Sequence, residues 1–362
     1  MIKQIIIENL YNFKSEIVID FVNDKTGTYH IYHDDSIGNI TILYGKNNVG
    51  KSNFFKVLMD VKKSVMHNEY TLKPYFPVVE NVPSFFQIEF ETQDHQYVYG
   101  FKTLVSEKTI LDEYLYIDDK LAYKQDEASL QCELMAYKKQ GDTPMDVVYD
   151  LFEKISYVSF LTPQTDSLLK TLNELLFVER KQAIVEVVNA LLKTADLEIR
   201  GISLGDEGFV FEHNTGAMFP YELLSSGTKQ LLKISLTVLK GMEGLILIDE
   251  IEAGLHFDLV EVLMDFISLL SEIEPETQFI ISTHREDLLD IENISNENKV
   301  FMTLENQQIQ INYLSNYYLN ADDLPSKRYR LDAFDVNPNT SRLYDLKHAI
   351  LNLRNVDNNN ET

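Results

Sequence analysis

The chain has 362 residues, 44% of them hydrophobic and 25% charged, which is the balance of a folded globular protein and excludes a long disordered chain. Its 57 acidic residues outnumber its 32 Lys and Arg, and the formal net charge of −25 argues against a surface built mainly to hold nucleic acid. The single cysteine, Cys132, excludes an internal disulfide and a cysteine-based zinc cage, and it fits a reducing cytoplasm, where we expect the protein to act.

The first third of the chain is predicted to be rich in strands. Residues 1–21 alternate short apolar runs with polar residues, which predicts two strands joined as a hairpin. Residues 39–44 form an apolar run that predicts a buried strand, followed through Gly45 by a helix of about 15 residues from Lys51. Aromatic and branched residues alternate with polar ones over residues 75–120, which predicts an antiparallel meander of short strands.

The middle of the chain is predicted to be mainly helical. Residues 123–152 are polar with helical character, and residues 166–194 carry apolar side chains at helical spacing. A short strand is predicted between these two helical regions, at residues 155–161. Two further short strands are predicted within residues 200–223.

Helices and strands alternate over the last third of the chain. The predicted elements are helices at 228–240 and 257–271, buried strands at 245–248 and 278–282, and a hairpin of strands at 300–304 and 308–313. The strand at 245–248 is apolar throughout, which is typical of a parallel strand covered on both faces. No apolar run reaches the roughly 18 residues that span a bilayer, so we expect no membrane segment.

The loop after the strand at 39–44 carries a phosphate-binding pattern. Its sequence, GKNNVGKS at residues 45–52, matches G-x-x-x-x-G-K-[ST]. Backbone N–H groups of such a loop and the following helix N-terminus hold phosphates, while Lys51 would reach the β- and γ-phosphates and Ser52 would bind Mg²⁺. The expected nucleotide contacts are Gly45, Asn47, Asn48, Val49, Gly50, Lys51, Ser52 and Asn53. The alternative, a chance glycine–lysine turn, is disfavoured by the strand before the loop and the helix after it.

A second strand ends in two acids. The sequence LILIDE at residues 245–250 runs from an apolar strand directly into Asp249 and Glu250. Beside a phosphate loop in the same sheet, Asp249 would lie near Mg²⁺ and Glu250 would polarise the attacking water. Taken alone, the two acids are also explained as ordinary solvated residues at a strand end.

Two further segments are ambiguous by themselves. The sequence LSSGT at residues 224–228 opens a predicted helix, where Ser and Gly are also ordinary capping residues. The sequence ISTH at residues 281–284 ends a buried strand with a histidine, which is usually structural in such a place. Their order and spacing relative to the phosphate loop and the acid pair decide how they are interpreted.

The four motifs, in this order and with these gaps, resemble those of ATP-binding-cassette (ABC) ATPases, whose signature is LSGGQ where this chain has LSSGT. The opening IIIENLYNFKSEIVIDF is similar to the start of the RecF/SMC/OLD branch. LSSGTKQLL, LILIDEIEAGLH and FIISTHREDLL resemble its stand-alone ATPases, many of which belong to phage-defence operons. The resemblance covers most of residues 1–315. It implies an α/β ABC-ATPase head (a P-loop NTPase) with a mixed central sheet, an N-terminal antiparallel β lobe and a helical insertion.

The resemblance and the predicted elements divide the chain into four parts. They are an N-terminal nucleotide-binding lobe (1–122), a helical insertion or lid (123–200), a second ATPase lobe (201–315) and a C-terminal extension (316–362). The extension carries a basic stretch, residues 327–330, with Arg342 and Lys347 nearby. This stretch could meet nucleic acid or an acidic partner surface, although a solvated face is the reading we favour.

In ATPases of this branch, two heads enclose two ATP molecules, so the resemblance implies a homodimer or a higher oligomer. The signature segment of one head would contact the γ-phosphate bound by the other head, through Ser225, Ser226 and Gly227. Thr228 replaces the usual Gln, which puts that side-chain contact in doubt. Residues 252–256, here called the interface loop, match the loop that crosses the dimer interface.

The catalytic residues that the resemblance implies are Glu250, His284 and Lys51. Glu250 would be the general base, and His284 would contact the γ-phosphate and align the water. For Mg²⁺ the family adds a Gln after a strand of the first lobe, and the candidate is Gln164, with a plain surface residue as an equal alternative. Weaker contacts to base and phosphate are implied for the segment Asn12-Phe13-Lys14.

The chain also departs from its branch. The stretch from Ser52 to Leu224 shows no sustained heptads, so no long coiled-coil arm is expected. After His284, the pair Asp332 and Asp335 lacks the spacing and the preceding acidic strand of a metal-dependent nuclease. We therefore expect any effector to be a separate protein.

The sequence thus predicts an ATP-hydrolysing switch or sensor that uses ATP and Mg²⁺ and controls a separate effector, in antiphage defence. A RecF-like DNA-binding clamp is the alternative, and the charge of −25 counts against it. A scaffold that binds ATP without turnover is a third reading. The altered signature keeps the scaffold open, whereas the intact phosphate loop, acid pair and histidine disfavour it. Membrane transporter partners are not expected.

Overall fold

The computed structural model describes residues 1–22, 38–75, 82–126, 143–159, 181–195, 198–205, 208–319 and 323–334. Gln164, Arg342 and Lys347 lie outside the described residues, so the predictions that concern them stay predictions. The same holds for residues 166–180 of the predicted second helical region.

Strands and helices follow one another along the chain much as predicted. The described strands are β1 (Ile2–Glu8), β2 (Ile17–Asp20), β3 (Ile40–Gly45), β4 (Ser84–Glu91), β5 (Gln96–Leu104), β6 (Thr109–Ile117), β7 (Lys120–Asp126), β8 (Ile155–Ser159), β9 (Ile199–Gly205), β10 (Gly208–His213), β11 (Met218–Phe219), β12 (Leu245–Asp249), β13 (Gln278–Ser282), β14 (Lys299–Glu305) and β15 (Gln308–Tyr313). The described α-helices are α1 (Lys51–His67), α2 (Asp146–Glu153), α3 (Lys181–Thr194), α4 (Ser226–Lys240), α5 (Phe257–Ile273) and α6 (Pro325–Arg330). None of the described helices is long and apolar enough to cross a membrane.

The central sheet is mixed, with the strand order β15-β14-β3-β13-β12-β8. The strands from β14 to β8 run parallel, and β15 pairs antiparallel with β14 at one edge. Strands β3, β12 and β13 are buried along their whole length, because the sheet has packed elements on both faces. This burial explains why the sequence of each of these strands is a continuous apolar run.

Alternate residues of the central strands point into two separate cores. On β12, Leu245 and Leu247 enter the core that contains α1, whereas Ile246 and Ile248 enter the core built by α3, α4 and α5. Successive side chains of a strand lie on opposite faces of the sheet, so one short strand contributes to both cores.

The second large sheet is antiparallel, with the strand order β2-β1-β4-β5-β6-β7. The hairpin of β1 and β2 and the predicted meander, which comprises β4 to β6, are both confirmed. Phe86, Ile88 and Phe90 of β4 point inward and join the α1 core. The mixed α/β fold with a mixed central sheet and an N-terminal antiparallel sheet is therefore as expected.

Two element predictions are wrong. Residues 123–126, predicted to be helical, belong to strand β7, which pairs with β6 through a tight turn at Asp118 and Asp119. Both turn residues have positive φ, and the strand is exposed at the sheet edge, with Leu121 51% exposed, so it lacks an apolar alternation. Strand β11 was not predicted, because a two-residue strand is too short to leave a pattern.

The described part of the C-terminal extension packs against the central sheet. The Tyr329 ring of α6 lies 6.0 Å from the Tyr44 ring of β3, and Phe334 stacks on Phe301 at 4.6 Å between centroids. The guanidinium of Arg328 pairs with Asp323, and that of Arg330 donates to Glu286 over 2.9 Å. Two charges of the basic stretch are thus paired with acids of the same chain, which favours the solvated-face reading.

Candidate active site

Three neighbouring strands bring the predicted motifs to one edge of the central sheet. Strands β3, β13 and β12 lie side by side and run parallel, so their carboxyl ends meet. The chain leaves β3 into the phosphate loop, β12 into Asp249 and Glu250, and β13 into residues 283–285, here called the switch loop. Open parallel sheets bind ligands at such carboxyl ends.

The phosphate loop is a tight turn that ends at the start of α1. Asn48 has a φ of 66° and Gly50 a φ of 129°, and the Val49 N–H donates to the Lys46 carbonyl over 3.3 Å. Gly50 precedes the first turn of α1 without a side-chain cap, so the free N–H groups of that turn are open to a phosphate. This geometry fits the predicted role of residues 45–52.

Gly45→Ala is expected to weaken nucleotide binding by about tenfold or more, because a displacement of about 1 Å in such a site is already costly. A Cβ at Gly45 would lie 2.6 Å from the Met302 carbonyl oxygen of β14 and 2.7 Å from Cγ1 of Val49, so the loop must shift. Titration with a fluorescent ATP analogue measures the change. Gly216→Ala is the matched control, because it also places a Cβ on a glycine of positive φ, 82°, but in the exposed turn between β10 and β11, where nothing lies within 4 Å. An unchanged affinity in Gly45→Ala would contradict the assignment.

Lys51 is folded back over the phosphate loop. Its Nζ donates to the carbonyl oxygens of Gly45 over 2.6 Å and Lys46 over 3.3 Å, and it lies 3.2 Å from Nε2 of His284. Burial lowers the pKa of Lys51 to about 8, although nearby carboxylates act in the opposite direction. The lysine is thus held in place by groups that phosphate oxygens can replace.

Ser52 and Asp249 form the candidate Mg²⁺ site. The Ser52 hydroxyl donates to Oδ1 of Asp249 over 3.1 Å, and the Ser282 hydroxyl donates to the same oxygen over 2.6 Å. Tyr157 adds a longer contact of 3.4 Å to Oδ2 of Asp249. A hydroxyl and a carboxylate side by side are hard oxygen ligands, which fit Mg²⁺ because this ion takes few protein ligands and shares substrate phosphates and waters.

Glu250 follows Asp249 in a left-handed backbone conformation, with a φ of 53°. Its N–H donates to the Ser282 hydroxyl over 2.8 Å, so Ser282 connects both acids to β13. Burial raises the pKa of the Glu250 carboxyl, and the carboxylates of Asp249 and Glu252 raise it further, whereas Lys51 lowers it. A non-glycine residue in this conformation is uncommon and often functional, and a carboxylate of raised basicity suits a general base.

His284 faces the phosphate loop from the switch loop. Burial lowers the pKa of its imidazole, and the neighbouring Lys51 lowers it further. The ring is therefore neutral near pH 7, and its Nε2 accepts from the Lys51 ammonium group, which leaves the proton on Nδ1. The structure thus brings Lys51, Glu250 and His284 to one place, as the motifs predicted.

The signature segment caps its own helix. The Ser225 hydroxyl accepts from the N–H of Thr228 over 3.1 Å and lies 2.8 Å from the Thr228 hydroxyl. Ser225 and Ser226 are exposed, and a Cβ at Gly227 would lie 3.4 Å from the carbonyl oxygen of Gly254 in the interface loop. Capping is therefore real, and the role of this segment toward a second head stays a prediction.

The three residues of the segment 12–14, predicted to contact base and phosphate, lie in different surroundings. Asn12 donates to the Val49 carbonyl over 3.0 Å and accepts from the Asn53 side chain over 2.9 Å, so it braces the phosphate loop. The Phe13 ring is fully buried beneath this loop and is not open to a nucleotide base. Lys14 is exposed.

Sequence reasoning missed three side chains that shape the site. Tyr157 and Ser282 hold Asp249, and Glu252 accepts hydrogen bonds from the switch loop. The third acid of DEIE, Glu252, was a visible signal for such a role. The other two act only through tertiary contacts that no local pattern encodes.

The comparisons with known proteins found one family model that matches part of the chain and structures of similar fold. Residues 142–290 match the protein family described as "AAA domain, putative AbiEii toxin, Type IV TA system", a stretch that contains the acid pair and the switch loop but not the phosphate loop. The SMC head domain from Thermotoga maritima has a similar structure with a TM-score of 0.48 and 16% sequence identity, over 86% of this chain and 98% of that chain. No curated protein shows significant similarity to the chain.

Proposed function

We propose that this protein is an ABC-type ATPase that closes as a dimer on ATP, hydrolyses it and thereby controls a separate effector in antiphage defence. One observation carries the proposal: a phosphate loop, an acid pair and a histidine converge at the carboxyl ends of three adjacent parallel strands. The net charge of −25 disfavours the alternative of a DNA clamp.

In the proposed reaction the chain positions ATP and accepts one proton. The phosphate loop and the start of α1 hold the phosphates, and Lys51 turns from the loop carbonyls toward the β- and γ-phosphates. Ser52 and Asp249 would hold Mg²⁺, which would supply charge neutralisation. Glu250 takes a proton from the water that attacks the γ-phosphorus, the bond from that phosphorus to the β–γ bridging oxygen breaks, and ADP and phosphate leave. His284, freed from Lys51, contacts the γ-phosphate.

The dimer in this proposal draws on the exposed surface around the signature segment. Ser225 and Ser226 lie exposed at the start of α4, whose N-terminal partial positive charge suits a phosphate of a second head. Leu223 just before them is 73% exposed, and Phe257 after the interface loop is 49% exposed. Large exposed apolar side chains beside polar ones are common where two proteins meet.

The effector and the defence role draw on the matching family and on the packing of the chain after His284. The family description names a putative toxin of a type IV toxin–antitoxin system. The described residues after His284 form a hairpin and a short helix that pack on the ATPase itself. A separate effector therefore fits the proposal better than a second activity in the described part of the chain.

The mass of Glu250→Gln in solution, with and without ATP and Mg²⁺, tests the proposal. Because this variant should retain ATP, we expect a shift from monomer to dimer in ATP and none in ADP, measured by light scattering. Lys51→Met is the control and should stay monomeric at an ATP concentration that saturates Glu250→Gln but lies below the raised Kd of Lys51→Met. A molar mass of Glu250→Gln that is the same with and without ATP would contradict the proposal of a dimerising switch.

A further inference from the structure

One carboxylate joins the interface loop to the switch loop. Oε1 of Glu252 accepts the His284 N–H over 2.7 Å, and Oε2 accepts the Thr283 hydroxyl over 2.7 Å. Both oxygens of Glu252 are thus used on the short segment that carries His284. The two loops follow different strands, β12 and β13, so this bridge is a tertiary contact.

The bridge continues on both sides. Thr283 is fully buried, and its hydroxyl oxygen accepts the Arg285 N–H over 3.0 Å, so Thr283 is fixed between Glu252 and Arg285. The Arg285 guanidinium stacks 3.6 Å above the Phe257 ring at the start of α5. The switch loop is therefore held at Thr283, His284 and Arg285, and Glu252 provides two of these contacts.

We infer that Glu252 is a positioning residue, which fixes the backbone of His284 so that its imidazole lies beside Lys51. The inference rests on the proposed function, because the position of His284 affects turnover only if the chain hydrolyses ATP. Glu252 touches neither substrate nor the reacting atoms. It acts through His284.

Glu252 also lies between the signature segment and the switch loop along this chain of contacts. It is the first residue of the interface loop, and Gly254 two residues later lies against Gly227 of the signature segment. The two hydrogen bonds of Glu252 are therefore the direct connection from the interface loop to the segment that carries His284.

Turnover is the first test. Glu252→Ala is expected to lower kcat by about tenfold or more, since small displacements of catalytic groups cost this much or more, while the Kd for ATP stays within about twofold. Glu252→Gln keeps one acceptor oxygen and the shape of the side chain, so its kcat should lie between that of wild type and that of Glu252→Ala. Glu261→Ala removes an exposed carboxylate of α5 near Arg285 and should turn over like wild type.

The second test does not depend on turnover. In ¹⁵N-histidine NMR spectra, the signal of the His284 ring is assigned as the one that is missing from the spectrum of His284→Gln. In wild type this signal should show a single tautomer with the proton on Nδ1. Glu252→Ala, or Thr283→Val if Glu252→Ala fails to fold, should shift this signal toward averaged tautomers. Glu261→Ala should leave it unchanged.

The outcomes separate the two proposals. If wild type does not hydrolyse ATP, the proposed function fails and the NMR spectra still decide on Glu252. If wild type hydrolyses ATP but Glu252→Ala has an unchanged kcat, or its His284 signal coincides with that of wild type, the positioning role is overturned and the proposed function stands. A parallel loss of kcat and ATP affinity would also overturn it, since it would indicate a collapsed site.

Discussion

Glu250→Gln is expected to slow ATP hydrolysis by about 10²–10⁴-fold, the range that a positioned general base contributes. The substitution keeps the size of the side chain but removes the basic carboxylate, whose pKa is raised by burial and by the adjacent acids. The N–H of residue 250 still donates to Ser282, so the local backbone should be preserved. Steady-state release of phosphate measures the rate.

The control for this prediction is Glu305→Gln, which changes an exposed carboxylate at the end of β14 and should hydrolyse ATP like wild type. Nucleotide affinity of Glu250→Gln should stay close to wild type, because the phosphate loop and Lys51 are untouched. A rate within about tenfold of wild type would show that another group accepts the proton.

The elements that form the site were predictable because their environment leaves a strong pattern. Strands β3, β12 and β13 are covered on both faces, so each is a continuous apolar run that ends abruptly in polar residues. The phosphate loop was equally clear in the sequence. Gly45 is required there for steric reasons, because a Cβ at this position would collide with a neighbouring strand. Requirements of this kind are visible in the sequence because they restrict the residue type at the position itself.

Other features depend on contacts between distant residues and left no local signal. Tyr157 reaches Asp249 across 92 positions of the chain, and Glu252 reaches Thr283 and His284 across more than 30. Strand β7 was mistaken for helix because an exposed edge strand has no buried face to impose alternation. The sequence indicated which chemistry is present, whereas the supports of each catalytic side chain required the structure.

The signature segment caps its own helix in the structure, and its contact with the phosphate of a second head stays a prediction. Ser225 is an ordinary N-cap in this chain, and Thr228, in place of the family's Gln, adds a second hydroxyl to the cap. Thr228 is buried, so its side chain points into the protein rather than toward a second head. In a dimer, the side chain of Thr228 would therefore not contact the phosphate of the second head. That phosphate would have to be held by Ser225, Ser226 and the helix N-terminus.

Affinity for ATP is expected to fall as the pH rises above about 8, by up to about tenfold per pH unit. Burial lowers the pKa of Lys51 to about 8 in the nucleotide-free protein, so the lysine is charged below this pH and neutral above it. Phosphate oxygens favour the charged form and raise its pKa in the complex. Binding above pH 8 therefore requires uptake of a proton, whereas below pH 8 this group adds no pH dependence.

Two variants distinguish Lys51 from other groups that titrate near pH 8. Lys51→Met should lose about 1.5–3 kcal/mol of binding at pH 7, or roughly 10–150-fold in Kd, and its affinity should no longer change between pH 7 and 9. Lys299 also has a pKa lowered to about 8 by burial, but its Nζ donates to the Ile291 carbonyl outside the phosphate loop. Lys299→Met should keep the wild-type pH profile of binding, measured by calorimetry. Suppose instead that Lys51→Met keeps that profile and Lys299→Met loses it. The proton taken up on binding would then go to Lys299 of β14, and Lys51 would not be the group that contacts the phosphates.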